Sequence, residues 1–152
     1  MRAFSPSPSL VLDTNILVGA ILGVRYATVL AHVSRHRALI ASMEMARELR
    51  LVVARIDERK TERADVLLNA IEVIDQDTYA ANLDAARRAL RNGPASRNGS
   101  TKDAHILALA WTCDADIWSH DRDFAGTGWP SWSSANLAAA LDEEASASAT
   151  KP

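Results

Sequence analysis

At 152 residues the chain is the size of one domain, long enough to bury roughly two thirds of its unfolded surface. Hydrophobic residues make up 48% and charged residues 24%, which excludes a disordered or fibrous class. No apolar run approaches the roughly 20 residues that span a bilayer and the N-terminus lacks a signal-peptide core, so no membrane association and a cytoplasmic location are expected. A net charge of −2 argues against a DNA-coating protein, and a single cysteine, Cys113, excludes an internal disulfide or a cysteine-based zinc site.

Taken in chain order, Leu10-Val11-Leu12 reads as a short strand buried on both faces, as parallel strands are. Asp13 falls at its carboxyl end, the edge where open α/β sheets place ligands. Thr14 or Asn15 can cap a helix whose apolar face includes Ile16, Leu17 and Ile21. Gly23 allows a break, and a second helix follows over about Tyr26 to His36. Ala38-Leu39-Ile40-Ala41 reads as a second strand, with Ser42 as cap of a long helix from Met43 to about Glu58. Met45, Leu49, Val52, Val53 and Ile56 form that helix's stripe, placing Glu48 at its edge and Glu44 further towards water.

Thr61 opens a helix through Leu68, and Ile71 to Ile74 reads as either its end or a short strand. A further helix runs through Leu83, Ala86 and Leu90, with Asp77 or Thr78 as cap. Residues 92–100 are dense in turn formers and read as an exposed loop. Next, Asp103, Ile106, Leu107 and Ala110 share helical spacing, so an acid sits on the same stripe as core residues; Cys113, in the same pattern, reads as a small buried thiol. Ala115 to Ser119 is another short strand, followed by Asp121 as the first strand is followed by Asp13. Ser131-Trp132-Ser133 reads as an edge strand, and a short helix through Leu137 and Leu141 leads into an Ala/Ser-rich tail, 143–152, expected to be flexible like residues 1–8.

Strands alternating with helices imply a mostly parallel sheet covered on both faces, whose strand ends share one edge. Asp13 and Asp121 then meet from two strand ends, with Asp103 and Glu48 arriving from helices. Such carboxylates repel one another unless protonated or bound to a cation. All-oxygen ligation suits Mg²⁺ or Mn²⁺, and the matching chemistry is phosphodiester hydrolysis. No serine or cysteine nucleophile motif and no phosphate-binding glycine loop competes.

Val11-Leu12-Asp13-Thr14-Asn15, Ser42 through Glu48-Leu49, Asp103-Ala104 with its Ala-rich helix, and Trp118-Ser119-His120-Asp121-Arg122-Asp123-Phe124 together resemble the PIN domain in the form found in bacterial toxins of the VapC type. The resemblance covers about residues 9–141. It implies a single three-layer α/β/α domain, Mg²⁺ or Mn²⁺ dependence and endoribonuclease activity on single-stranded RNA. It further implies a homodimer held by a small antitoxin. Asp13, Glu48, Asp103 and Asp121 match the family's acidic positions, and Asp123 matches a variable additional acid. On this reading Asp13, Asp103 and Asp121 carry metal, while Glu48 holds a second ion or orients water. Asn15 matches an amide that helps order the site, and Ser119 stands where the family commonly has threonine. Arg97, Lys102, His120 and Arg122 are candidate contacts to RNA phosphates, and Trp129 and Trp132 either stack bases or pack internally. The alternatives are a noncatalytic RNA- or protein-binding module of the same fold and a PIN nuclease outside any toxin–antitoxin pair. An aspartate-nucleophile phosphotransferase is disfavoured, because Asn15 occupies the place where that class carries a second Asp.

Overall fold

The apolar triplet Leu10-Val11-Leu12 becomes the middle of the molecule. In the computed structural model, which describes residues 4–92 and 101–149, five strands form one sheet: β1 (Ser9–Leu12), β2 (Ala38–Ser42), β3 (Glu72–Ile74), β4 (Asp116–Trp118) and β5 (Ser131–Trp132). Their order is β3-β2-β1-β4-β5 and every pairing is parallel, so the expected mostly parallel sheet is wholly so. Leu10 faces both Leu39 and Asp116 in register. The segment 71–74, open on sequence, resolves into β3 on the sheet edge.

Because successive side chains in a strand point to opposite faces, β1 feeds two cores. Leu10 and Leu12 join one with Ile16, Leu17, Met45 and Leu49. This layer is built from α1 (Thr14–Leu22), α2 (Val24–Ser34), α3 (Met43–Ile56) and α4 (Thr61–Asn69). Val11 joins the other with Ile40, Ile106, Leu107 and Ile117, covered by α5 (Gln76–Tyr79), α6 (Leu83–Arg91) and α7 (Ala104–Cys113). Helix α8 (Ser134–Ala149) returns to the first layer through Leu137 and Leu141. The result is one α/β/α domain.

Four sequence expectations change. In α3 the buried stripe is Met45, Ala46, Leu49 and Val53, whereas Ile56 is exposed where the helix ends. In α7 every residue from Ala104 to Ala110 is buried. A helix apolar all round is a core helix, and Asp103 is its N-cap position rather than a member of a stripe. Cys113, at the exit of α7, is exposed. Finally, α8 does not stop near Leu141: alanine-rich sequence favours helix, and Glu144 within it receives hydrogen bonds from Arg37 and from Ser5. Among the described residues no helix is long and apolar enough to cross a membrane.

Candidate active site

The strand order reverses between β1 and β4, and the carboxyl ends of those two neighbours form the crevice in which open α/β sheets bind ligands. Asp13 leaves β1 there. It is almost wholly buried, 5% exposed, and its backbone N–H donates to Trp118 O at 3.0 Å. At the end of β4, buried Ser119 donates through Oγ to Asp13 Oδ2 at 2.6 Å and accepts from the Asp121 N–H at 2.9 Å. One hydroxyl thus orients two acids.

Glu48 arrives from the second turn of α3. Thr14 Oγ1 donates to its Oε2 at 2.8 Å, and Lys102 Nζ lies 3.4 Å from its Oε1. The start of α3 is itself fixed: Ser42 Oγ accepts from Met45 N at 3.0 Å, capping the helix, and lies 2.7 Å from Nδ1 of buried His105 on α7. Asp103, at the head of α7, completes the set.

The electrostatics show that these acids feel one another. Burial, followed by the charges of Asp13, Glu48 and Asp121, pushes the Asp103 carboxyl up to about 6. Burial likewise raises Asp13, against the lowering effect of its hydrogen bonds from Ser119 and Thr14, with Asp121 and Glu48 adding to the rise. Burial lowers His105, opposed by the charges of Glu44 and Glu48. Among the described residues, no three His, Cys, Asp or Glu side chains stand close enough together, as they are, to hold an ion. The four acids face one electrostatic neighbourhood without forming a closed ligand cage.

Residues 11–142 match the sequence pattern of the PIN domain. The chain belongs to the PIN domain family. Its fold is similar to that of a chain in the crystal structure of VapBC2 from Rickettsia felis bound to a DNA fragment from its promoter, with 21% identity, a TM-score of 0.62 and coverage of 82% of this chain and 98% of that one. A toxin–antitoxin complex from Klebsiella pneumoniae contains a similar chain, with 22% identity, a TM-score of 0.61 and coverage of 77% and 91%. No curated protein matches the sequence.

Within this PIN domain the other sequence candidates divide. The Asn15 side chain is exposed and makes no hydrogen bond among the described residues; Glu48 receives one from the neighbouring Thr14. His120 turns away from the acids, its Nε2 2.7 Å from Ser134 Oγ. Lys102 engages Glu48 rather than standing apart from the site. Arg97 and the side chains of Arg122 and Asp123 lie outside the described residues. Trp132 is buried and donates to Asp116 Oδ2 at 2.8 Å, while half-buried Trp129 donates to Ala115 O at 2.8 Å; both are packing residues.

Two contributors were missed by sequence reading. Glu44, expected in water, is half-buried with Oε2 shielded from solvent and unpartnered among the described residues. Its spacing of four from Glu48, which puts both acids on one helix side, was the available signal. His105 was hidden in an apolar helix, and nothing local announces its bond to Ser42.

Proposed function

We propose that this PIN domain is a metal-dependent endoribonuclease that hydrolyses phosphodiester bonds in single-stranded RNA, and that it is the toxin of a toxin–antitoxin pair. The reading rests above all on four acids brought together from the ends of β1 and β4 and from α3 and the head of α7, where burial and the neighbouring acidic charges push the Asp13 and Asp103 carboxyls up. The donor set fits Mg²⁺ or Mn²⁺: it offers carboxylate oxygen only, and the excess negative charge is what a hard cation relieves. Asp13, Asp103 and Asp121 would hold the ion, Glu48 a second ion or the attacking water, and Asp123 is a further candidate ligand. A bound ion supplies a water of lowered pKa and stabilises charge on the phosphate and leaving oxygen.

The chain's own part is positioning. Ser119 holds one Asp13 oxygen by donating to it, so the other oxygen is aimed by default. Thr14 does the same for Glu48, while Lys102 offsets its charge and is a candidate contact to a substrate phosphate. The relatives in toxin–antitoxin complexes support a small antitoxin as partner, with a homodimer and a cytoplasmic site of action completing the reading. The observation favouring a noncatalytic binding module instead is that the acids are not gathered into a cage.

A nuclease assay on mixed single-stranded RNA with Mg²⁺, Mn²⁺ or EDTA tests this. Cleavage with metal, lost with EDTA and in Asp13→Asn, is expected. No cleavage with either ion, or undiminished cleavage by Asp13→Asn, overturns it.

A further inference from the structure

The carboxyl edge of the sheet carries a second feature beside the acids. His120 lies in the chain between Ser119, which holds Asp13, and Asp121, yet its ring points the other way, towards α8. There it borders a recess of about 410 Å³ lined by Arg25, Tyr26, Val29, Ser133 and Ser134 among others, within the roughly 300–1,000 Å³ of small-ligand sites. Since β4 and β5 run parallel, the residues that follow them, His120 and Ser133-Ser134, emerge on the same edge as Asp13.

We propose that this recess is a nucleotide subsite, holding a base and phosphate of the single-stranded RNA segment adjacent to the bond being cut; the assignment rests on the ribonuclease reading above.

Three observations converge on that ligand chemistry. No acid lines the recess, although acids crowd the neighbouring crevice. An RNA strand leaving the acids is therefore repelled on one flank and accepted on this one. Arg25 is exposed and forms no ion pair among the described residues, and α2 begins beside it without a side-chain cap for its first N–H groups. Tyr26 is 46% exposed, its ring centroid 6.2 Å from that of His120 at a tilt of 54°. The ring also packs against Gly19, where a Cβ would come 3.3 Å from it. A fixed ring with a solvent-facing flank is a stacking platform, and stacking accepts any base. The Arg25 guanidinium and the Ser133 hydroxyl beside it suit the phosphate.

The test is equilibrium binding of a fluorescein-labelled 12-nucleotide single-stranded RNA, followed by anisotropy, in the cleavage-dead Asp13→Asn protein. Adding Tyr26→Ala is expected to weaken binding roughly 5- to 100-fold, the effect of losing one stacked base, with Tyr26→Trp restoring it. Adding Arg25→Ala is expected to lower the slope of log affinity against log salt by about 0.7, one phosphate contact on a single strand. In the active protein, Tyr26→Ala raises KM for RNA and leaves kcat within about twofold, because the acids are untouched. Unchanged affinity in both variants, while Asp13→Asn still abolishes cleavage, overturns the subsite and leaves the nuclease standing. A shift of oligomeric state with Tyr26→Ala and unchanged RNA affinity reassigns the face to contact between copies and also overturns it. Failure of both the wild type and Asp13→Asn to bind or cleave single-stranded RNA overturns both readings.

Discussion

Ser42 Oγ and His105 Nδ1, 2.7 Å apart in the interior, tie together the heads of the two helices that bring Glu48 and Asp103 to the site. His105→Ala removes a buried partner and leaves a cavity, and is expected to destabilise the protein by about 1–3 kcal/mol in urea unfolding. His105→Asn, which places an amide near the position of Nδ1, is expected to recover most of that loss. Equal stability of the alanine variant and the wild type would show that the bond does not hold the helices.

Thr14 acts on Glu48 through a single hydroxyl. Thr14→Val keeps the shape and removes the hydroxyl that donates to Glu48 Oε2. Partners of ligating groups are typically worth 10–100-fold in metal affinity or activity. The Mn²⁺ concentration for half-maximal cleavage is expected to rise by about tenfold, with thermal stability little altered. Asn15→Ala, at an exposed position, is the matched control and is expected to change neither.

The raised carboxyl of Asp103 makes a signed prediction about pH. The group titrates near 6 in the folded chain against an ordinary value of 3.8, so between those values the folded state holds the extra proton. Its stabilising contribution is full below about pH 4 and is lost as pH rises through 6. Asp103→Asn, a neutral mimic, is therefore expected to melt higher than the metal-free wild type at pH 7–8, the gap closing towards pH 4. A constant gap across that range would show that Asp103 is not crowded by charge.

Buried acids at the two edges of the sheet are expected to behave oppositely. Asp116, at the amino end of β4, accepts from Ser7 N at 3.0 Å and Trp132 Nε1 at 2.8 Å. Asp116→Ala orphans both donors and is expected to cost about 2–4 kcal/mol of stability, while surviving folded protein keeps its specific activity. Asp13→Asn is expected to abolish cleavage while the metal-free melting temperature holds or rises, since one of several like charges is removed. Parallel effects of the two substitutions would contradict the division.

Much of this was legible in the chain because the signals are local. Leu10-Val11-Leu12 ahead of Asp13 and Ile117-Trp118 ahead of Asp121 announce strand ends, and Ser42 announces a helix cap that the structure bears out. Less visible were features decided by tertiary surroundings. Asp103 shares a helical period with Ile106 and Ala110, but α7 is buried on every side, so periodicity carried no orientation there. Asn15 and Thr14 are chemically interchangeable as polar residues after Asp13, and only the path of α3 decides which reaches Glu48. The helical continuation past Leu141 carries Glu144 to Arg37 and Ser5, long-range contacts that the tail's own sequence does not announce.

The donor that fixes Asp13 sits 106 positions downstream of it. During synthesis the first acid is therefore displayed long before the hydroxyl that aims it has been made, and β1 waits for β4, far downstream, as a neighbour. Such long-range closure is slow to form. Asp13 therefore cannot reach its final geometry until β4 and the serine that follows it have joined the sheet.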